Sequence, residues 1–385
     1  MATAVPAAAP ASVGFFERKA PAALILWTFP LLTVPLAIGL IQATDRRFLL
    51  LYIWMFGLTH FVLTLSIYLR SENLRYFAAT NKNILLYFVI PLAILMGFYL
   101  TGVLELRARF PVVAVVLAAA IRLLDFNHLN RQSFGVFQLF KARSRLRVPA
   151  AAKQVENAFF AAVTGLLFTT YLAGGISPLL PAGGAPALGT AIAAPTPALL
   201  PLPFLRVSAA ILALLAAALG AYSVTAVVRA WRASGSRPGL GQSLAYFCAQ
   251  VLAAAFAIIS SPLYFATLSI HYVEYHVLMF PRCFHSELDE RSSVDHWFAV
   301  IRRHRVVFYA LVLLGAGAVL YVSLLQQNPT AALRANPIRY RAIVSIFDGL
   351  FVFHYFVEML IWRFSDPFFR RTLTPLYFTP RPRAA

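Results

Sequence analysis

Ten stretches of about 20 mostly apolar residues follow one another along the chain, and nothing else in the sequence limits its folding as sharply. They lie at 21–43, 48–69, 83–104, 110–129, 156–175, 204–228, 242–260, 263–280, 306–325 and 343–362. A run of that length crosses a bilayer as one helix, because a helix satisfies its own backbone where water is absent. Residues 242–280 carry almost no charge. As one unbroken helix they would reach about 58 Å, nearly twice the hydrocarbon core. Ser260, Ser261 and Pro262 stand in the middle, and Pro disrupts a helix interior. The stretch therefore predicts a tight hairpin of two helices.

Charge supports the count. The chain holds 33 Lys and Arg against 14 Asp and Glu, a net +19. Basic residues gather in cytoplasmic loops. With ten helices and both termini inside, the inner segments hold 24 of them, the outer segments 8, and Arg122 falls within a span. With nine helices, the loop after Phe280 and the C-terminal tail change sides, and most of the bias disappears. Only 12% of residues are charged and 60% are hydrophobic, which excludes a soluble enzyme, a coiled coil, a disordered chain and a collagen. Two cysteines, Cys248 and Cys283, exclude a disulfide framework and read as free thiols. The positive charge reads as contact with anionic membrane lipid; no nucleic-acid motif accompanies it.

The fold class is thus all-α: a polytopic integral membrane helical bundle of nine or ten helices, in the inner (cytoplasmic) membrane. A single transmembrane domain at 21–365 lies between a low-complexity tail at 1–20, expected to be disordered, and a basic tail at 366–385. The first span reads as a retained anchor rather than a signal peptide. Residues 176–203, rich in Pro, Gly and Ala, read as an outer loop, and 131–147 and 284–305 as interfacial helices on the inner face.

Ionisable groups inside a bilayer are costly, so their placement is informative. Span two carries His60; span four ends with Arg122, Asp125, Asn127 and His128; span eight carries His271, Glu274 and His276; span ten carries Asp348, His354 and Glu358. In the ten-helix topology these four spans run in one direction. Counting back from the first basic residue at each inner end puts His60, His271 and His354 within about 3 Å of one depth. His276, Asp125, Glu358 and His128 form a second layer closer to the inner face. Asp125 and His128, His271 and Glu274, and His354 and Glu358 are spaced i,i+3 or i,i+4, so each imidazole shares a helix face with a carboxylate. That is how a helix bundle builds a metal or proton-handling centre. The candidate metal ligands are His60, His128, His271, His276 and His354, with Glu274, Glu358 and Asp125 as acid–base groups. Asp125 could instead simply neutralise Arg122, and Asp348 read as a hydrogen-bonding partner. His285, His296 and His304 fall in the inner loop and are not expected to ligate.

Imidazole with carboxylate and open positions suits non-haem iron, so Fe(II) is the expected cofactor, with other divalent transition metals as alternatives. Tyr272, Tyr275, Phe347, Phe351, Phe353, Tyr355 and Phe356 flank the histidines and suit an apolar substrate. The HxxxH and HxxHH boxes of membrane desaturases and the DDxxD motif of prenyltransferases are absent. His60 in THF, His271 and His276 in HYVEYH, and His354 with Glu358 in HYFVE resemble the histidine pattern of the Brp/Blh membrane β-carotene dioxygenases. The early HG-xx-D element of that family has no counterpart. The resemblance implies a compact helical membrane fold, a His-ligated iron and oxidative cleavage of a lipid or carotenoid-like substrate. Two other readings stay open: a proton-coupled transporter using the same acids, and a membrane protein whose polar groups only pack helices.

Overall fold

The computed structural model describes residues 15–42, 56–57, 59–61, 63–144, 146–174, 201–234, 240–259, 261–284, 304, 307, 309–312, 314–315 and 337–378. The first part of span two, most of the expected span at 306–325, the loop at 176–200, His285 and His296 lie outside them. So do residues 1–14 and 379–385.

Among the described residues every regular element is a helix. In chain order they are α1 (Lys19–Gln42), α2 (Thr59–Tyr68), α3 (Ser71–Phe77), α4 (Asn81–Val103), α5 (Leu106–Arg109) and α6 (Pro111–Arg143). Then come α7 (Ala150–Leu172), α8 (Leu202–Ala233), α9 (Leu240–Ile259), α10 (Ser261–Phe284), α11 (Pro337–Ile361) and α12 (Pro367–Tyr377). Six of them, α1, α4, α6, α7, α8 and α9, are long and apolar enough to cross a membrane. Their outer faces carry Leu31, Val112, Leu214 and Ile259 in the open, a surface that suits lipid rather than water. Helices α10 and α11, 24 and 25 residues long, are not among the six. Both carry His and carboxylate residues, which lower their hydropathy.

Proline shapes two of the helices. In α1 and α4 a π-helical turn, Phe29–Thr33 and Leu85–Val89, ends two residues before Pro35 and Pro91. A proline ring crowds the carbonyl four residues back and cannot donate to it. A wider turn relieves the contact, and a partner from elsewhere can serve the carbonyl. The Tyr68 hydroxyl, at the end of α2, donates to the Tyr87 carbonyl four residues before Pro91, at 2.7 Å. The π turn of α1 likewise presents Thr33, whose hydroxyl lies 2.6 Å from that of Ser269 in α10.

Helix α6 does not stop at the end of the expected fourth span. Its 33 residues run on to Arg143, and the expected interfacial segment from 131 is its continuation. At about 1.5 Å per residue it is about 50 Å long, well beyond a bilayer core of about 30 Å. Helix α9 runs to Ile259 and α10 from Ser261, with Ser260 outside the described residues, and the two pack on each other, as the expected hairpin requires. Helix α10 is central, touching α1, α6, α9 and α12. Cys248 is exposed and free.

The tightest packing pairs α4 with α11. A Cβ on Gly102 would lie 2.7 Å from the Arg341 carbonyl oxygen and 2.8 Å from Ala342 Cα; one on Gly349 would lie 2.9 Å from Phe98 Cβ. Each helix thus gives up a side chain where the other comes closest, the device that lets apolar helices associate in lipid. Gly102→Ala is expected to destabilise the protein by about 1–3 kcal/mol, because backbone rather than a flexible side chain must move. Thermal unfolding in detergent reads the effect, and an unchanged midpoint would show that the helices can separate freely.

Candidate metal centre

Four helices each deliver one buried imidazole to a common point. His60 comes from α2, His128 from α6, His271 from α10 and His354 from α11, and one nitrogen from each lies within 4.8 Å of the others. The His60 ring centre is 4.1 Å from that of His354 and 4.7 Å from that of His271. The Nε2 atoms of His354 and His128 are 3.2 Å apart. Nitrogens bound to one ion at about 2.0–2.1 Å stand up to about 4.2 Å apart, so a slight contraction would bring the group to ligating distance.

The hydrogen bonds test whether the residues fit a metal. Both ring nitrogens of His60 and Nδ1 of His271 are buried without a hydrogen-bond partner. Buried polar atoms almost always have one. A cluster of imidazole nitrogens with some left unserved is what a cation requires of its ligands. Four imidazoles suit zinc, copper or iron. His60, His128, His271 and His354 could therefore hold a divalent transition metal.

One turn further along each helix lies a second tier of polar residues. Thr64, Gln132, Tyr275 and Glu358 each follow their histidine by four positions and share its face. They tie the four helices together. Thr64 Oγ1 is 2.6 Å from His354 Nδ1 and also bonds the Tyr275 hydroxyl. The Tyr275 hydroxyl stands near the Glu358 carboxyl group. A Glu358 carboxylate oxygen lies 3.5 Å from His128 Nε2, and the Trp362 indole donates to the other at 3.4 Å. Gln132 donates to the His271 carbonyl oxygen at 2.9 Å. Sequence reasoning singled out Glu358 from this tier and missed Thr64, Gln132 and Tyr275 as polar partners. The i+4 repeat was the signal that marks them.

The remaining expected site residues lie elsewhere. His276 is not in the four-histidine group. It stands five residues beyond His271, about 140° round the helix, and its Nδ1 meets the Tyr309 hydroxyl while its ring packs on Phe56. Glu274 accepts from Tyr246 at 2.6 Å, Gln250 at 3.1 Å and Gln132 at 3.2 Å, which joins α9 and α6 to α10. Asp125 does neutralise Arg122, at 2.9 Å, and also accepts from the Tyr264 and Tyr355 hydroxyls at 2.6 and 2.7 Å. It therefore bears on the centre through Tyr355, whose ring stacks on His128 with centres 4.5 Å apart. Asp348 pairs with Arg107. His304 is exposed.

The expected lower layer for His128 does not hold. Its depth was counted from Arg131 as the inner end of a span, but Arg131 is mid-helix and bonds Asn157. His128 joins the other three instead.

Aromatic rings close the surroundings: Tyr275 and Tyr272 stand 4.0 and 5.6 Å from His60, and Phe351 packs on Phe61 beside it. No protein-family model matches the chain, and no curated protein and no solved structure is significantly similar to it.

Proposed function

We propose that this chain is an integral membrane non-haem iron oxygenase. It crosses the inner (cytoplasmic) membrane ten times with both termini on the cytoplasmic side. Its substrate is an apolar lipid or carotenoid-like molecule. The observation that carries this reading is the buried group of four imidazoles from four helices, part of it without hydrogen-bond partners.

Iron, when bound, supplies the activation of molecular oxygen. The chain's own residues do the rest. His60, His128, His271 and His354 provide neutral nitrogen ligands. Tyr272, Tyr275, Phe61 and Phe351 line the neighbourhood of His60 with ring faces that suit a polyene or acyl chain. Glu358, against His128, is placed to hold a proton. Scission of a carbon–carbon double bond by one oxygen molecule gives each carbon one oxygen atom, so the reaction balances without an external reductant. The resemblance of His60, His271 and His354 to part of the histidine pattern of the Brp/Blh dioxygenases supports the same chemistry.

The test is elemental analysis of detergent-purified protein, followed by aerobic and anaerobic incubation with β-carotene or a polyunsaturated lipid in mixed micelles. The expected result is one iron per chain and aldehyde or ketone product only with oxygen. Protein that retains no transition metal overturns the reading. If it also moves a solute in a pH-dependent way, the same buried acids belong to a proton-coupled permease.

A further inference from the structure

Arg107 and Arg109 share the single helical turn of α5 and part company there. Arg109 is exposed. The Arg107 guanidinium turns inward, where its Nη1 pairs with the buried carboxylate of Asp348 in α11 and its centre lies 5.9 Å from that of the Phe98 ring in α4. The chain is bent to allow this. Glu105, two residues earlier, holds φ at +56° and is the only non-glycine residue with positive φ among the described residues. A side chain is strained in that region, and such strain gathers at functional sites. The Glu105 carboxylate pairs with Arg341, so the turn is held to α11 at two points. The other two nitrogens of Arg107, Nε and Nη2, are buried and have no hydrogen-bond partner among the described residues. Buried donors are almost always served. These two lie side by side on one edge of the planar group, the fork that takes a carboxylate through two parallel hydrogen bonds.

We propose that the open Nε–Nη2 edge of Arg107 binds the carboxylate of an apolar acid whose chain runs toward the four histidines. This narrows the substrate class given above and rests on that reading of an apolar substrate, but not on the metal. Asp348 stands six residues before His354 on α11, about 9 Å along the helix axis. Phe351 is three residues from each and packs on Phe61, whose ring in turn stacks on His60. A chain anchored at Arg107 would therefore meet aromatic rings on its way to the imidazoles. A carboxylate matches the edge in shape and number, with one oxygen for each N–H and one charge opposite the guanidinium. Arg122 is near enough to Asp348 to act on its charge, so Asp348 does not depend on Arg107 alone. A hydrocarbon would leave both N–H groups unserved.

The test is binding to metal-free, full-length protein in detergent. Energy transfer from the protein's tryptophans reports binding of cis-parinaric acid, a polyene fatty acid kept ionised, and of its methyl ester. Wild type should bind the acid about 10–100-fold more tightly than the ester, the worth of hydrogen bonds between charged groups. Arg107→Lys keeps a positive charge for Asp348 and removes the fork. Arg107→Met together with Asp348→Leu removes the pair whole, so that no buried charge is left alone. Arg107→Lys should lose most of the preference and the double variant all of it, while both bind the ester as wild type does. Equal affinity of wild type for acid and ester, binding of neither, or a preference that survives in the double variant overturns the assignment. Wild-type protein that prefers the acid but retains no iron keeps this site and loses the oxygenase reading.

Discussion

Purified His60→Leu protein is expected to keep its helical fold and to bind a transition metal more than about 100-fold more weakly than wild type, beyond the range for loss of a supporting partner. His60 is the sharpest probe because it is the least served residue of the group. It is 1% exposed, and neither ring nitrogen has a hydrogen-bond partner. An imidazole held that way without an ion loses its hydration and gains nothing, a penalty of about 1–3 kcal/mol. Leucine fills a similar volume with no polar atom. The metal-free His60→Leu protein should therefore be as stable as metal-free wild type, or more so. Only the metal-loaded wild type should exceed both. Metal content by elemental analysis and unfolding midpoints with and without chelator read the two effects together. His276→Ala serves as the control, because His276 faces Tyr309 and Phe56 rather than the group, and should leave metal content unchanged. Equal metal binding by His60→Leu and wild type would end the case for His60 as a ligand.

What the sequence disclosed about this centre, and what it hid, follows from one distinction. Hydropathy and helical spacing are local, and they brought His60, His271 and His354 to a common level and placed Glu358 on the face of His354. The packing of α9 on α10 was legible for the same reason, since Ser260, Ser261 and Pro262 divide the apolar stretch in the sequence itself. Contacts between helices were not legible. Glu274 is three residues from His271 and shares its face, yet its carboxylate is taken up by Tyr246 and Gln250 of α9 and Gln132 of α6, which the spacing within one helix does not announce. The depth of His128 was misjudged because an arginine was taken to mark the membrane edge. Helix α6 carries Arg131 without ending, since Asn157 of the neighbouring helix serves it. Thr64 was passed over as an ordinary residue of an apolar span, and Tyr275 was read only for its ring, as part of the apolar surroundings of the histidines. Neutral hydroxyls carry no charge cost to draw attention. Their meaning lies in the i+4 offset from a histidine, repeated on three helices besides the one where a carboxylate made it visible.

The continuation of α6 past the expected span carries the second large effect. Lys141 was expected as one of the inner-loop charges, free to meet lipid headgroups. It is instead buried, and its ammonium pairs with Glu156 of α7, which is fully buried. Gln138 donates to the same carboxylate oxygen at 2.9 Å, and the ammonium lies 5.0 Å from the centre of the Phe137 ring. Two charges withdrawn from water this completely are tolerated only as a pair, because each alone would face the full desolvation penalty. Glu156→Leu leaves the ammonium without its counter-charge and is expected to cost about 3–5 kcal/mol. Lys141→Met together with Glu156→Leu removes both charges at similar volume and should recover most of that loss. The comparison of the single and double variants by unfolding in detergent isolates the pair from the packing of its carbon chains. Metal content should be unaffected in the double variant, since neither residue touches the four histidines. A single variant as stable as wild type would show that water or lipid headgroups reach Lys141, and that the pair is not what holds α6 to α7.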